Sequence, residues 1–320
     1  MTTDAMRRAV ALVQDAESFV VSGHVGPDGD ALGSALAFAH AARAAGKQAV
    51  VAFGEPFTLP ATYAFLDTTP IVSAADLPPH PDAMVVFDVG VSSRLGSLAG
   101  YAAGAGKLLI VDHHPHPEEG FGDVQVIDTG AGAAGQLCAS LIEDLGWAID
   151  ETVARCLLTA IVTDTGRFQY SSTDGEIMRV AAGLLDAGVR PEIIGQAVYE
   201  SVPFGYLRVA SAVLGRAVLE EDLGLVWSVL YRADLEDAGI GAEDTDPLID
   251  DLRIAREAGV ALLMKEVEGG FKGSMRSRGA VDVGAIAAAE GGGGHHNAAG
   301  FTVSDSIEAV LERIRASLRG

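Results

Sequence analysis

Imidazole and carboxylate side chains recur in four short clusters along this chain of 320 residues. His24, Asp28 and Asp30 stand in VVSGHVGPDGDALG, Asp88 in VVFDVG, Asp112, His113 and His114 in VDHHP, and Asp164 in AIVTDTGRF. Imidazole plus carboxylate with no neighbouring thiolate suits Mn²⁺, or another hard to borderline divalent ion, better than structural zinc. The first three clusters each follow directly on an apolar, strand-like run ending at Ser22, Phe87 or Val111, and Asp164 closes a helical pattern. Parallel strands bring such ends to one edge, where ligands of open α/β sheets bind. One pocket can then collect His24, Asp28, Asp30, Asp88, His113 and Asp164, enough for two ions sharing one carboxylate. Two ions roughly 3.5 to 4 Å apart can hold a bridging hydroxide and neutralise charge developing on a phosphoryl group.

Single acids and histidines have plainer readings. Asp128, before Thr129 and Gly130, reads as a cap or turn residue. His40, His80 and His116 read as hydrogen-bonding or surface residues, with His116 in the solvated PHPEE loop. Capping does not explain three clusters at equivalent strand ends.

The elements that must position these groups alternate. Helical patterns at 4–17, 30–45, 132–145 and 151–163 interleave with apolar runs at 18–22, 48–53, 83–87, 108–111 and 124–127. Gly46 is a helix stop, and 55–81 is a proline-rich connection with one helical turn near 62–66. Short apolar strands between helices indicate a parallel sheet with helices on both faces. After Asp186 the character changes. Helical patterns at 191–199 and 204–216 read as a connector; strand patterns at 217–221, 225–231, 260–267 and 270–276, with helices at 247–257, 282–289 and 306–318, give a smaller α+β domain on a mainly antiparallel sheet. The expected organisation is an α/β catalytic domain over 1–188, a connector over 189–216 and a second domain over 217–320.

Hydrophobic residues make up 49% of the chain, which excludes disorder. The net charge of −22 argues against a long basic nucleic-acid track, and so against duplex partners, while leaving room for a short anionic substrate. No apolar run approaches the roughly 20 residues of a membrane helix. The N-terminus is an amphipathic helix pattern rather than a signal peptide, so a soluble cytoplasmic protein is expected. Cys138 and Cys156, each in an apolar helical pattern, read as buried reduced thiols.

The second domain carries chemistry in two places. In FKGSMRSR, Lys272, Arg276 and Arg278 alternate and so project from one sheet face, with Ser274 beside them; the competing reading is a solvated edge strand guarded by charge. In EGGGGHHNAAG, consecutive glycines including Gly293 and Gly294 let backbone amides approach an anion, with His295 following as a donor; alone, such a run also reads as a flexible loop.

The ordered series HVGPDGD, VVFDVG, VDHHP and AIVTDTGRF resembles the four motifs of the DHH phosphoesterase superfamily, and GGGH followed by AAG resembles the type 1 DHH-associated domain. Together they look like the stand-alone nanoRNase and pAp phosphatase group. The resemblance implies two Mn²⁺ ions, with Mg²⁺ or another divalent ion as substitutes. His24, Asp28 and Asp88 would hold one; Asp30, Asp88, His113 and Asp164 the other, with Asp88 bridging. Asp112 would orient His113, and His114 would face the scissile phosphate. The second domain would close over the metal centre, placing the active site in the cleft between domains, with Arg276 and His295 on phosphate and Lys272, Ser274 and the glycines assisting. A homodimer is also implied. Where relatives commonly carry hydroxyl residues, this chain has Ala133 and Ala134; His296 and Asn297 fill variable positions.

From that assembly follows hydrolysis of dinucleotides such as pApA and of short oligoribonucleotides, and dephosphorylation of 3′-phosphoadenosine 5′-phosphate (pAp). His114 would protonate the leaving oxygen, and Arg276 and Arg94 would stabilise phosphoryl charge. Three alternatives compete: cyclic di-AMP phosphodiesterase as the main activity, a manganese pyrophosphatase, whose second domain lacks the GGGH signature, and an inert adenine-nucleotide sensor.

Overall fold

The computed structural model describes residues 3–115 and 120–319, apart from the side chain of His295. His116 therefore lies outside the described residues. The chain divides into two compact units, 1–200 and 201–320. The two helices expected as a connector fall one in each.

The first unit runs α1 (Asp4–Asp15), β1 (Ser18–Ser22), α2 (Gly29–Ala44), β2 (Gln48–Val51), β3 (Ala83–Phe87), α3 (Ala99–Ala103), β4 (Leu108–Asp112), β5 (Val124–Ile127), α4 (Ala134–Asp144), α5 (Glu151–Asp164), α6 (Gly175–Asp186) and α7 (Pro191–Tyr199). Its five strands are all parallel, in the order β2-β1-β3-β4-β5. Strand alternation feeds two cores. Phe19, Val21, Val85, Phe87, Leu109 and Val111 pack with the helices on one face. Val20, Met84, Val86 and Ile110 pack on the other with Leu95, Leu98 and Ala102, from the 3-10 turns of Ser92–Leu98 and from α3. With both faces buried, the strands need continuous apolar runs, which is how they read in the sequence.

Helix contact in this unit is unusually close where side chains are smallest. A Cβ on Gly29 would lie 2.4 Å from Thr163 Oγ1, and one on Gly33 2.5 Å from the Cys156 carbonyl oxygen. These two glycines, one turn apart on α2, let α5 approach backbone to backbone and carry Asp164 to the sheet edge.

The second unit runs α8 (Phe204–Gly215), β6 (Val218–Glu220), β7 (Leu225–Leu230), α9 (Arg232–Ala238), α10 (Leu248–Arg253), β8 (Val260–Val267), β9 (Gly270–Ser277), α11 (Val283–Ala289), β10 (Gly293–His295), β11 (Ala298–Val303) and α12 (Ile307–Arg319). Its sheet has the order β10-β11-β9-β8-β7-β6, antiparallel except for the parallel pair β7 and β8. Leu225, Leu262, Met264, Met275, Ala299 and Phe301 bury one face against α11 and α12. Val226, Leu230, Ala261 and Leu263 bury part of the other against α8 and α10.

Helices α6 and α9 were not among the expected elements, and α10 is shorter than the pattern at 247–257. Asp174 caps α6 by accepting the amides of Glu176 and Ile177, a signal that lay in the TDGE stretch. Two readings of the second unit are corrected. Strand β9 is no edge strand, since β11 and β8 pair with it on either side. The glycine run is no loose loop: Gly293, Gly294 and His295 form β10, paired to Gly300, Ala299 and Ala298.

Candidate metal centre

Every cluster of the first unit meets at the C-terminal edge of its sheet. The strand order reverses between β1 and β3, and such a switch point is where a crevice opens in an α/β sheet. His24 follows β1, and Asp88 follows β3 directly. Asp88 is buried and has φ of +60°, a left-handed conformation that costs a non-glycine residue roughly 1–2 kcal/mol. Such strain persists where the surroundings over-determine it, commonly at functional sites.

The Asp88 carboxylate faces two groups of imidazole and carboxylate side chains that could hold a metal ion. Its Oδ2 lies 3.4 Å from His24 Nε2, which is 3.7 Å from Asp28 Oδ1. Its Oδ1 lies 3.6 Å from His113 Nε2, which is in turn 3.6 Å from Asp30 Oδ2 and 3.4 Å from Asp164 Oδ2. In each of the trios His24, Asp28, Asp88 and Asp30, His113, Asp164, one donor atom per residue falls within 4.8 Å of the others. The other ring nitrogens are spoken for: His24 Nδ1 contacts the Val25 carbonyl at 3.0 Å and His113 Nδ1 the Ala131 carbonyl at 3.2 Å. Such contacts fix the tautomer that presents Nε2 inward.

Asp28 and Asp30 are held by helix starts. Asp28 caps α2, its Oδ1 accepting the amides of Asp30 and Ala31. Asp30 accepts the amides of Ala134 (2.6 Å) and Gly135 (2.8 Å) and the Ser34 hydroxyl (3.1 Å). It thereby caps α4, whose own N-cap residue, Ala133, offers no side chain to do so. Ala133 and Ala134 are fully buried, and the first turn of α4 meets the site through its backbone. The Ala131 carbonyl and these two amides are parts of the site that residue-type reasoning missed, because backbone groups leave no mark in a sequence; the Ser34 hydroxyl, four residues after Asp30 on α2, was also missed, although its helical spacing is readable.

Asp112 Oδ1 accepts the backbone amide of His113 (2.7 Å) and also lies 2.7 Å from the ring nitrogen Nδ1 of His114. His114 Nδ1 is also 3.1 Å from Asp88 Oδ1.

The electrostatics are those of a site short of positive charge. Burial disfavours a charged imidazole, yet the carboxylates outweigh it: Asp28 and Asp88 push His24 up to about 10, Asp88, Asp30 and Asp164 push His113 up to about 10, and Asp112 and Asp88 push His114 up to about 9. Burial would raise Asp88, but His113, His114 and His24 hold it well below the usual carboxylate range. Burial raises Asp30, with Asp88 and Asp164 adding. Asp164 is pushed up to about 7 by burial, which outweighs His113 and is reinforced by Asp28 and Asp88. His24 Nε2 and Asp88 Oδ1 are buried and make no hydrogen bond. Buried polar atoms in that state call for a partner, and a divalent cation suits both; the donor set fits the metal chemistry that its residue types implied.

Two domain families match the chain: the DHH family N-terminal domain over residues 18–161 and the DHHA1 domain over 225–320. The chain is 34% identical over 309 residues to the bifunctional oligoribonuclease and PAP phosphatase NrnA of Thermus thermophilus, covering 93% of this chain and 89% of that protein. The chain belongs to the DHH phosphoesterase superfamily. It is 25% identical to the protein of the same name from Bacillus subtilis, over 94% of each. An exopolyphosphatase-related protein from Bacteroides fragilis shares the fold, with TM-score 0.91 and 23% identity over 98% of this chain and 95% of that one.

Within the DHHA1 domain, strand register places the remaining expected residues. Arg276, Ser274 and Lys272 of β9 stand opposite Ala298, Gly300 and Thr302 of β11, and Gly300 and Ala298 pair in turn with Gly293 and His295 of β10. Alternation therefore puts Lys272, Ser274, Arg276 and Gly293 at one face of the sheet. Gly292 and Gly294 belong to the opposite alternation. A Cβ on Gly294 would lie 2.5 Å from the Ala298 carbonyl oxygen, and one on Gly292 2.1 Å from that of Gly300, whereas one on Gly293 meets none of the described residues within 4 Å. Arg278 lies past the end of β9, and its guanidinium donates to the carbonyls of Arg253 and Ala255. His296 contacts the Gly279 carbonyl, and Asn297 accepts from Ser277, so this pair ties down the β10–β11 turn. In the DHH domain, Arg94 is exposed, and its carbonyl accepts the amide of Val25 beside His24.

Among the described residues no helix is long and apolar enough to cross a membrane. Asp128 accepts the amide of Gly130 as a turn residue, and Cys138 and Cys156 are buried free thiols, as their settings in the sequence indicated.

Proposed function

We propose that this chain is a Mn²⁺-dependent phosphoesterase that cleaves dinucleotides such as pApA and short oligoribonucleotides to mononucleotides, and removes the 3′-phosphate of pAp to give AMP. The observation that carries the reading is Asp88, with one carboxylate oxygen towards each of two ligand trios. His24, Asp28 and Asp88 would hold one ion and Asp30, Asp88, His113 and Asp164 the other. Four carboxylates balance the charge of two divalent cations. When bound, such ions acidify water and polarise phosphoryl oxygens.

The chain's own groups supply the rest. Asp112 and Asp88 favour the imidazolium of His114; with Nδ1 turned to Asp112, Nε2 carries the proton for the leaving oxygen. Arg276, with His295, Lys272, Ser274 and the amides of Gly293 and Gly294, takes the nucleotide's phosphate, and Arg94 adds positive charge; a well-placed donor of this kind contributes a few kcal/mol. Lys272 to Arg276 is four residue steps, about 13 Å of strand, enough for one or two phosphates. Short substrates fit that span and the chain's net charge, and the names of the relatives point to the same substrates.

Product analysis tests the proposal: the purified chain with Mn²⁺ is given pApA and pAp in separate tubes, each with a chelator control. AMP from both, lost on chelation, is the expected result; binding without turnover would establish a nucleotide sensor instead.

A further inference from the structure

Several arginine–carboxylate pairs of the second unit are tight. Arg216 grips Asp234 at 2.5 and 2.7 Å, and Arg315 grips Glu220 at 2.7 and 2.9 Å. Arg276 is different. Its Nε and Asp250 Oδ1 lie 3.8 Å apart, both buried and neither making a hydrogen bond. The gap is too long for an N–H···O bond and too short to seat a water between the two atoms. Arg276 Nη1 donates to the Met275 carbonyl at 3.0 Å, and Nη2 has no partner among the described residues. The carboxylate is thus close enough to hold the guanidinium electrostatically without using up its donors.

Asp250 is well placed for this. It lies in the first turn of α10, the helix packed over β8, and the same Oδ1 stands 3.9 Å from Arg253 Nε. Arg278, two residues beyond Arg276, donates to the carbonyls of Arg253 and Ala255 at the other end of α10. The two arginines therefore address opposite ends of one short helix: Arg278 donates to its carbonyls, whereas Arg276 faces its Asp250 carboxylate without a hydrogen bond.

We infer that Asp250 is the positioning residue for Arg276: it steadies the Nε side of the guanidinium and leaves Nη2 as the donor for an anionic group of the ligand. The inference rests on the reading of Arg276 as a phosphate-binding residue. An arginine side chain is long and loses much rotamer freedom on binding, and a carboxylate that fixes one edge in advance removes part of that cost.

The test is a double-mutant cycle on Asp250→Asn and Arg276→Lys, read in two parallel assays: KM and kcat for pAp hydrolysis with Mn²⁺, and calorimetric binding of AMP. Asp250→Asn is expected to raise KM and the AMP Kd about fivefold, with a much smaller change in kcat and an unchanged thermal midpoint. Asp250→Glu should recover part of the loss, and Asp250→Asn should add nothing in the Arg276→Lys background. An unchanged AMP Kd in Asp250→Asn, or losses that simply add in the double variant, overturns the inference. Failure of the activity reading shows separately, as absence of turnover by the unaltered chain, and the AMP cycle still decides the role of Asp250.

Discussion

Asp30 Oδ2 sits 2.6 Å from the backbone amide of Ala134, so a buried carboxylate from the start of α2 closes the start of α4. One side chain thus joins a helix cap to the candidate metal centre. Asp30→Ala is expected to abolish turnover and also to destabilise the chain by about 1–3 kcal/mol, through the lost cap and two unpaired amides. Asp30→Asn should be equally inactive but less destabilised, since it keeps one acceptor. Urea denaturation beside an activity assay checks the order; equal stability of the two variants would contradict the capping role.

Asp88 offers a comparison that separates chemistry from backbone strain. Asp88→Ala and Asp88→Gly both delete the carboxylate and should both be inactive. Only glycine relieves the positive φ, so Asp88→Gly should be more stable than Asp88→Ala by about 1 kcal/mol. Thermal midpoints give the answer, and comparable turnover by either variant would sink the two-metal reading.

The contact of α2 with α5 makes Gly33 intolerant. A Cβ there meets the Cys156 carbonyl at 2.5 Å, which no rotamer change can avoid. Gly33→Ala should cost roughly 1–3 kcal/mol by overpacking and lower kcat by displacing Asp164. Gly46→Ala makes a control, since nothing lies within 4 Å of its Cβ: it should lose stability through its φ of +85° while kcat holds.

Metal addition should stabilise the folded chain by mass action, about 2.7 kcal/mol when the free ion is at 100 times its Kd. A rise in thermal midpoint with Mn²⁺, reversed by chelator and lost in Asp88→Ala, is the expected result. The same rise in Asp88→Ala would place the ion elsewhere.

How much of this was legible beforehand depends on whether side chains or backbone carry the function. The strands after which His24, Asp88 and His113 stand were readable because a doubly buried parallel strand must be a continuous apolar run, and the acids stand directly behind it. The Ala131 carbonyl and the α4 amides were invisible, because their roles come from helix packing that only small residues such as Gly33 and Gly135 permit. Alternation on β9 correctly grouped Lys272, Ser274 and Arg276. It failed at Arg278, where the strand had already ended and the side chain turned to α10. Composition also misled at β10, where consecutive glycines suggest a loose loop, yet Gly292 and Gly294 are what allow close pairing with β11.

Arg216 and Asp234 give the second unit a predictable response to acid. Arg216 holds the Asp234 carboxyl below its usual range, against a smaller opposing effect of burial. A depressed folded-state pKa contributes stability that is present above the unfolded value, near 3.9, and is lost as pH falls through the folded one. The stability gap between the unaltered chain and Asp234→Asn, about 1 kcal/mol for a partly solvated pair, should therefore be constant near neutrality and close below about pH 4. A gap that widens in acid would refute the assignment.

The order of strands in the second sheet has one more outcome. Its two outermost members, β6 and β10, have three residues each, while the eight-residue β8 and β9 are enclosed. Unpaired main-chain groups at a sheet edge are templates for fibrillar aggregation and domain swapping, and short edges blunt them. With like charges repelling between copies as well, this sheet offers little main chain for runaway self-assembly.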